Sequence, residues 1–421
     1  MRRACRALLA VAARCPLARA HALGAAFDAG QVSSYVGFDP TAASLHIGHL
    51  MQLLVARRIQ EAGHRPILLV GGATGLIGDP KLAGERVMND AAVVHEWAER
   101  LRDQVSGYVS FQGDNAALVV NNFDWTSTLS TLDFLRDVGK HFPVNRMLAR
   151  DVVARRLEDG ISFTEFAYVL LQSLDYRELY RTRGATLQTG AQDQWGNITA
   201  GIDFIRRTEG VQVHGLVTPL LTKADGSKFG KTEAGTVWID RELTSPFAFH
   251  QFWLNAEDAK VIEYLKIFTW RSLNEITELA EQTANRPQLR AAQRALADDI
   301  TDLVHGRAER EAAAIAGRAL FGGADLGELP EATLPAVMAE LGAVDLHAAD
   351  GQLPLVSDAL VAGGVVASKS AGRRAIAEGG AYLNNRKVID VEQRLARDDL
   401  LAGGWAVLRR GKRTVGAVRI V

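Results

Sequence analysis

Two histidines stand at the predicted start of a helix, in a position that suits phosphate binding. His46 and His49 follow a short apolar strand over residues 35–38, and the helix that they open runs to about residue 62. Residues three apart share one helix face, and a helix N-terminus attracts anions through its free N–H groups and its dipole. The two imidazoles therefore predict a site for the phosphate chain of a nucleotide. The alternative is that both rings only cap and pack the helix.

A second element with phosphate-binding chemistry lies about 180 residues downstream. Lys228 and Lys231 flank Gly230 and follow a turn signal at residues 224–226 (ADG). Such a loop can close on a polyphosphate, because lysine binds phosphate as a point charge and glycine-containing loops are mobile. For these lysines taken alone, a solvated surface loop is the alternative.

A mostly apolar helix, predicted over residues 163–176, carries polar groups that could line a small-molecule pocket. Tyr168, Gln172 and Asp175 recur at i, i+4 and i+7 and form one stripe. Because the helix is predicted to be buried, these polar groups need partners. A substrate with an ammonium and a hydroxyl could supply them, and Tyr35 would face the same cleft. An interior polar network is the alternative.

The elements around these residues predict an open parallel α/β sheet. The strand at 35–38, the helix after it and a second strand at 66–70 form a strand–helix–strand unit that ends in two glycines. Residues 90–157 are predicted to be rich in helix, and residues 188–198 to be a loop. The predicted fold is α/β, with a Rossmann-like parallel-sheet domain, an α-helical domain and a small α+β C-terminal domain.

Changes of pattern divide the chain into five predicted segments. They are an atypical N-terminal segment (1–30), a Rossmann-like domain (31–240), an α-helical domain (241–320), a Gly- and Pro-containing linker (321–351) and a small basic domain (352–421).

The distribution of charge is informative, although the net charge of −1 is not. Residues 352–421 hold twelve Lys or Arg and six Asp or Glu, so this segment is basic and the rest of the chain is acidic. A basic module on an acidic body predicts contact with a polyanion. An imbalance without functional meaning is the alternative.

The composition of the N-terminal residues is relevant to the cellular compartment of the protein. The only cysteines are Cys5 and Cys15, and there is no acidic residue before Asp28. These features predict no disulfide framework, and no apolar run is long enough to span a membrane. We expect a cytoplasmic protein; organellar import through an Arg- and Ala-rich leader is the alternative.

The two basic elements together resemble the signature motifs of class I aminoacyl-tRNA synthetases. Seven stretches, one of which is the lysine loop itself, narrow the resemblance to the bacterial-type tyrosyl-tRNA synthetases. They are residues 35–41 (YVGFDPT), 71–80 (GGATGLIGDP), 139–142 (GKHF), 160–166 (GISFTEF), 193–199 (DQWGNIT), 222–226 (TKADG) and 228–232 (KFGKT). Their order along the chain is specific to this family.

The resemblance implies a role for each matching position. A tyrosine-binding set would hold the phenol hydroxyl and the α-ammonium: Tyr35, Asp79, Asn122, Tyr168, Gln172, Asp175 and Gln194. A nucleotide-binding set would contact the adenylate: Gly37, Asp39, Gly48, Gly190 and Asp193. A catalytic set would act on the phosphate chain and the leaving pyrophosphate: Thr41, His46, Lys81, Arg86, Lys228, Lys231 and Thr232. His49 belongs to the same set and would lie near the ribose ring oxygen.

The resemblance also implies the reaction and its partners. L-Tyrosine would be activated with ATP to tyrosyl-adenylate and then transferred to the 3′ end of tRNA(Tyr), with release of AMP. Mg²⁺ would be bound to ATP without a dedicated protein site. The chain would form a homodimer with Phe163 at its interface, and the middle helical domain would contact the anticodon region. The basic module would contact tRNA through Lys369, Arg373, Arg374, Arg386 and Lys387.

Three other functions fit parts of the sequence. A synthetase for tryptophan shares the class, but Asp175, Gln194 and the basic module disfavour it. A nucleotidyltransferase that makes a cofactor would lack the helical and RNA-binding modules. A non-catalytic RNA-binding protein would not need the histidines, both loop lysines and Asp175.

Overall fold

The computed structural model describes residues 17–80, 90–227, 229–232, 235–322, 326–348, 352–411 and 414–421. The chain divides after Ile239 into two compact units. Within the described residues, no helix is both long and apolar enough to cross a bilayer.

The first unit alternates strands with helices. Its elements are α1 (Leu17–Ala29), β1 (Ser33–Phe38), α2 (Ile47–Glu61), β2 (Arg65–Val70), α3 (Thr74–Ile77), α4 (Ala91–Ser106), β3 (Leu118–Asn121), α5 (Phe123–Thr126), α6 (Thr131–Asp133), α7 (Val144–Leu148), α8 (Asp151–Ala154), α9 (Phe163–Arg183), β4 (Ala185–Ala191), α10 (Trp195–Glu209), β5 (His214–Thr218), β6 (Lys231–Thr232) and β7 (Gly235–Thr236). A π-helical turn spans Phe134–Val138, and 3-10 turns span Gly139–His141 and Gln192–Gln194.

Five strands form one parallel sheet in the order β3-β2-β1-β4-β5. The chain moves outward from β1 in one direction through β2 and β3, and in the other through β4 and β5. The strand order therefore reverses between β1 and β4, and ligands of open parallel sheets bind at the carboxyl ends of the strands at such a point. This topology confirms the predicted α/β class.

Two details of the first unit differ from the sequence prediction. The stretch 90–157 contains a strand, β3, whose four residues are too few to show a period. Residues 188–198, predicted to be a loop, complete β4 and begin α10. The glycine at position 190 is explained by close packing and not by a loop, because a Cβ there would lie only 3.2 Å from the side chains of Gln194 and Ile198.

The sheet is buried on both faces. Tyr35 and Ile67 pack on one face against Tyr176 of α9 and Ile205 of α10. The atypical N-terminal segment contributes to the core as well, because Phe27 of α1 is 6% exposed and packs with Ile59. Burial of a side chain of this size contributes about 2–3 kcal/mol to folding.

The second unit joins helices to a small mixed sheet. Its elements are α11 (Pro246–Leu254), α12 (Asp258–Phe268), α13 (Leu273–Asn285), α14 (Ala291–His305), α15 (Arg307–Gly322), α16 (Leu334–Glu340), β8 (Val344–Leu346), α17 (Val356–Ala362), α18 (Lys369–Ala377), β9 (Ala381–Leu383), β10 (Arg386–Lys387), β11 (Trp405–Arg410) and β12 (Thr414–Ile420), with 3-10 turns at Pro287–Leu289, Leu326–Glu328 and Arg397–Asp399. The strand order is β10-β9-β11-β12-β8.

The segment 321–351 is predicted from its sequence to be a linker, but its described residues are part of the folded second unit. Val337 and Met338 of α16 are fully buried, and β8 pairs in parallel with β12. The Gly- and Pro-rich start of the segment indicates a loop, while α16 and β8 are too short to show a periodic pattern.

Candidate active site

The loop that leaves β1 carries a carboxylate that accepts hydrogen bonds from two hydroxyl groups. Asp39 accepts a hydrogen bond from the Tyr168 hydroxyl at 2.6 Å and another from the Thr74 hydroxyl at 2.6 Å. Gly71 makes room for this arrangement, because a Cβ there would lie 2.0 Å from Asp39 Oδ1. The structure thus joins Asp39, predicted to be near the nucleotide, to Tyr168, predicted to be near the ammonium.

A buried phenol and a buried carboxyl group lie close together in the first unit, since Asp175 adds to the effect of burial in raising the pKa of Tyr35. The Tyr35 hydroxyl is buried and has no hydrogen-bond partner within the described part of the chain. Asp175, which is 3% exposed, accepts hydrogen bonds from Asn122 Nδ2 at 3.0 Å and Trp125 Nε1 at 2.9 Å. Burial raises the pKa of Asp175 to about 7, although these two donors oppose the shift.

Asn122 supports the site. Its amide nitrogen donates to Asp175 and to Thr74, and its oxygen accepts from the Ala73 N–H at 2.8 Å. Each polar atom of this fully buried amide therefore has a protein partner. Predicted to be near the substrate, Asn122 fixes the orientation of the Asp175 carboxyl group.

A second carboxylate is held by two amides. Asp79 accepts hydrogen bonds from Gln194 Nε2 at 2.9 Å and from Asn197 Nδ2 at 3.1 Å. Asn197 also donates to Gln194 Oε1 at 3.0 Å, so the three side chains form a closed ring. Gln172 lies on the same stripe as Tyr168, and its Oε1 is buried without a partner among the described residues.

Negative charge converges on Tyr168. Burial and the neighbouring carboxylates of Asp39, Asp79 and Asp175 raise its pKa well above the ordinary value. A pocket with several carboxylates around a neutral phenol has a negative potential. An ammonium group is the substrate feature that this potential favours.

The two histidines cap α2 reciprocally. His46 Nδ1 accepts from the Gly48 N–H at 3.0 Å, and His49 Nδ1 accepts from the His46 N–H at 3.2 Å. The rings are stacked, with centroids 3.9 Å apart. Because both Nδ1 atoms accept, a neutral ring carries its proton on Nε2 and offers that N–H as a donor.

Capping and ligand binding are therefore compatible at these histidines. Burial and the adjacent His46 lower the pKa of His49 well below its ordinary value, so His49 is neutral at neutral pH. Gly48 allows the stacking, since a Cβ there would lie 2.9 Å from His46 Cε1.

The remaining predicted residues are distributed as follows. Gly37 and Thr41 are exposed near the carboxyl end of β1, Gly190 is near the end of β4, and Asp193 is exposed in the 3-10 turn that follows. Lys231 and Thr232 form β6. The predicted pyrophosphate ligands Lys81, Arg86 and Lys228 lie outside the described residues.

Sequence reasoning missed three side chains that build the site: Thr74, Trp125 and Asn197. Each acts on a predicted residue, namely Asp39, Asp175 and Asp79 respectively. Thr74 and Asn197 lie within stretches that carry the resemblance, which is the signal that could have found them. Trp125 lies in the four-residue helix α5 and had no such signal.

The small basic module presents its cations at a turn and along a helix. Arg386 and Lys387 are exposed in β10, and Arg374 is exposed on α18. Lys369 pairs with Asp358 at 2.8 Å, and Arg373 pairs with Glu392 at 3.0 Å.

The turn before β10 is held from within the unit. Asn384 and Asn385 adopt positive φ angles of 45° and 64°. The side chain of Asn384 accepts from the Val407 N–H, and Asn385 donates to the Ala319 carbonyl at 2.6 Å. These contacts fix the turn that carries the two exposed cations.

Comparison with known proteins shows the family to which this chain belongs. The family model described as tRNA synthetases class I (W and Y) matches residues 28–322, and the model described as the tyrosine–tRNA ligase SYY-like C-terminal domain matches residues 338–416. The chain is therefore a class I tRNA synthetase.

Individual relatives distinguish between the tryptophan- and tyrosine-specific members of this class. The chain is 65% identical over 397 residues to the tyrosine–tRNA ligase of Cutibacterium acnes, with 94% of each chain covered, and 54% identical to that of Streptomyces coelicolor, with 95% of this chain and 94% of the other covered. A C-terminally truncated mitochondrial tyrosyl-tRNA synthetase from Aspergillus nidulans superposes with a TM-score of 0.63 at 31% identity, covering 72% of this chain and 89% of the other.

The chain belongs to the tyrosine–tRNA ligase family. It activates L-tyrosine with ATP to tyrosyl-adenylate and transfers the tyrosyl group to tRNA(Tyr). The tryptophan-specific alternative is excluded by these relatives.

Proposed function

We propose that the buried cluster binds the two ends of L-tyrosine. Tyr35 and Asp175 bind the phenol hydroxyl: the Tyr35 hydroxyl donates a hydrogen bond to the substrate oxygen, and the Asp175 carboxylate accepts a hydrogen bond from the substrate hydroxyl. The observation that carries this proposal is the buried Tyr35 hydroxyl without a protein partner, beside a carboxyl group whose orientation is already fixed. A buried polar pair of this kind rejects phenylalanine, which would leave both groups unpaired. Tyrosyl-tRNA synthetases are the established example of such discrimination.

The ammonium group of the substrate binds at the other end of the cluster. Asp79, Tyr168 and Gln172 are its proposed ligands, supported by the convergence of carboxylates on Tyr168 and by the unpartnered Gln172 Oε1. Gln194 and Asn122 act by orienting Asp79 and Asp175.

ATP binds across the carboxyl ends of β1 and β4. We assign the adenylate contacts to the loops that hold Gly37, Asp39, Gly48, Gly190 and Asp193. A carboxylate oxygen has two lone pairs, so Asp39 can accept from a ribose hydroxyl as well as from its protein partners. Mg²⁺ would accompany the triphosphate as part of the substrate, without a dedicated protein site, and would neutralise phosphate charge there.

The chemical step needs charge stabilisation and no base of unusual pKa. A carboxylate oxygen of tyrosine attacks the α-phosphorus, the bond to the bridging oxygen breaks, and pyrophosphate leaves with the electron pair. Thr41 and His46 donate to phosphate oxygens as this charge develops, and His49 lies near the ribose ring oxygen. Lys81, Arg86, Lys228, Lys231 and Thr232 bind the leaving pyrophosphate.

In the second step a terminal ribose hydroxyl of tRNA attacks the carbonyl carbon of the adenylate. The ester bond to tRNA forms, the bond to phosphate breaks, and AMP leaves with the proton of the hydroxyl.

ATP–pyrophosphate exchange with a panel of amino acids tests the tyrosine pocket. Tyrosine is expected to sustain exchange, while phenylalanine and tryptophan at equal concentration give a rate lower by about 10⁴-fold or more, as is known for this enzyme class. Comparable exchange with phenylalanine would contradict the assignment of Tyr35 and Asp175.

The exposed cations of the basic module are proposed to bind tRNA phosphates. Replacing Arg386 and Lys387 together by Ala is expected to weaken tRNA(Tyr) binding about tenfold at physiological salt and to reduce the slope of log K against log salt by about one to two. Pyrophosphate exchange without tRNA should be unchanged.

A matched control removes two cations from the first unit, Arg100 and Arg102, which are exposed on α4. Equal loss of tRNA affinity in both double variants would show that total charge, and not this turn, determines binding.

The homodimer expected from the resemblance is also proposed for this chain. Large apolar side chains are exposed along residues 132–163, with Leu132 at 78% and Phe163 at 73%, and such exposure marks interfaces. Sedimentation equilibrium should give the mass of two chains, and Phe163→Asp should lower it to one. Phe321→Asp, in the second unit, is the control, and a single-chain mass for the unaltered protein would refute the dimer.

We propose the cytoplasm as the compartment, since the relatives that are 65% and 54% identical over nearly the whole chain are ligases of bacteria. A fluorescent fusion that accumulates in an organelle would favour import instead.

A further inference from the structure

A half-buried guanidinium lies behind the carboxylate that we assign to the substrate ammonium. Arg150 precedes α8, and one of its terminal nitrogens donates a hydrogen bond to Asn197 Oδ1. Gly196 permits this approach, because a Cβ at that position would lie 3.3 Å from the same nitrogen and 3.5 Å from Nε.

The position of this cation is unfavourable in itself. Gly196 and Asn197 belong to the first turn of α10, and the N-terminus of a helix carries partial positive charge. Burial lowers the pKa of Arg150, and the nearby Asp79 partly opposes that shift. A cation held at this place despite these costs needs specific compensation, which the amide oxygen and the carboxylate supply.

The hydrogen bond from Arg150 determines which way round the Asn197 amide lies. Since Oδ1 faces the guanidinium, Nδ2 must face Asp79 Oδ1 and Gln194 Oε1, which it contacts at 3.1 and 3.0 Å. The Gln194 amide is thereby oriented too, so that its Nε2 donates to Asp79 Oδ2 at 2.9 Å. With Asn197 reversed, its oxygen would oppose two other oxygens.

We propose that Arg150 is a positioning residue for tyrosine binding, acting through Asn197 and Gln194 to hold the Asp79 carboxylate toward the substrate ammonium. The inference rests on the proposed role of Asp79. It adds a residue that neither the motifs nor the helical stripe indicated. Asn197 is 2% exposed, so the orientation of its amide is set by protein contacts and not by solvent.

Two ligands that differ only by an ammonium group test the proposal. Tyramine carries the ammonium, and 4-ethylphenol has the same ring without it. Their inhibition constants against tyrosine are measured in pyrophosphate exchange. Arg150→Met is expected to raise the constant for tyramine about tenfold and to change that for 4-ethylphenol by less than about twofold.

Arg150→Lys is the rescue variant, because its ammonium can still donate to Asn197 Oδ1, and it should recover most of the tyramine affinity. Arg155→Met, an exposed arginine just after α8, is the matched control and should leave both constants unchanged. A variant that has lost its fold would weaken both ligands together.

The possible outcomes distinguish a failure of the proposed role of Arg150 from a failure of the proposed ammonium site at Asp79. If Asp79→Asn leaves tyramine binding unchanged, the proposed ammonium site is wrong. If Asp79→Asn weakens tyramine and Arg150→Met does not, or if Arg150→Met impairs only the transfer to tRNA, the role of Arg150 alone is overturned. Equal weakening of both ligands in Arg150→Met would also overturn it.

Discussion

Changing Thr41 to Ala and His46 to Gly together should slow the formation of tyrosyl-adenylate by about 10⁴-fold, while the affinity for tyrosine changes by less than about threefold. Each residue is proposed to donate a hydrogen bond to a phosphate group whose charge develops in the transition state. Loss of one such donor costs about 10²- to 10³-fold in rate. Tyrosine binds through Tyr35, Asp175 and the ammonium site, so its ground-state binding does not depend on these donors.

The double variant should still fold. His46 is the N-cap residue of α2, and glycine is well tolerated at an N-cap. Thr41 is exposed, and its loss leaves no buried group unpaired. Thermal unfolding close to that of the unaltered protein is therefore expected.

Rapid-mixing kinetics and equilibrium dialysis together check this prediction. Removing the same two side-chain types from exposed positions, with His21→Ala and Thr131→Ala, is the control and should leave the rate unchanged. If tyrosine affinity fell as far as the rate, the assignment of Thr41 and His46 to the phosphate chain would be wrong.

The prediction for His46 shows how much local pattern can reveal. A histidine at the start of a helix, three residues before another, is enough to place both rings at an anion-binding terminus. The reciprocal capping is one of the two alternatives that the sequence leaves open, and the structure shows it directly. This capping explains why a neutral ring of His46 or His49 carries its proton on Nε2, and it does not exclude phosphate binding by that N–H group.

The contacts between distant segments could not be predicted in this way. Asp39 and Tyr168 are 129 residues apart, and Asp79 and Asn197 are 118 apart. Spacing places residues on one face of one element, but partners across elements depend on sheet order and helix packing. For the same reason sequence reasoning misses Trp125 and Arg150, since both lie in or next to short helices without a periodic pattern.

Short elements also limit the prediction of the fold, because they too depend on partners that are distant in the sequence. The strand–helix–strand unit at β1, α2 and β2 is predictable because each element is long enough for its apolar pattern to be visible. In contrast, β8 has three residues, and it is stabilised by pairing with a strand about 70 residues later in the chain. Its identity depends on that partner and not on its own sequence.

Asp175→Asn should have the second large effect, on the choice of amino acid. We expect kcat/KM for tyrosine to fall about 10³-fold, and that for phenylalanine to change by less than about tenfold. The amide has almost the shape of the carboxyl group, but it cannot accept from Asn122, Trp125 and the substrate together. One donor is then left unpaired in a buried site, and the charge-assisted bond to the phenol is lost.

The pH dependence of tyrosine binding provides the internal control for this variant. Burial raises the pKa of Asp175 to about 7 in the ligand-free protein, so the carboxyl group holds a proton below that pH. Accepting a hydrogen bond from the phenol hydroxyl requires the ionised carboxylate, so Asp175 must lose its proton when tyrosine binds. The affinity of the unaltered protein should fall about tenfold for each pH unit below 7 and level off above it.

Two variants change this profile in different ways. Asp175→Asn should abolish the inflection. Trp125→Phe removes a hydrogen bond that lowers the pKa of Asp175, so it should move the inflection to higher pH while the enzyme still prefers tyrosine. If tyrosine affinity instead rose as the pH fell through 7, the protonated carboxyl group would be the binding form. Asp175 would then donate to the phenol oxygen, and the proposed directions of the two hydrogen bonds at this end of the pocket would be reversed.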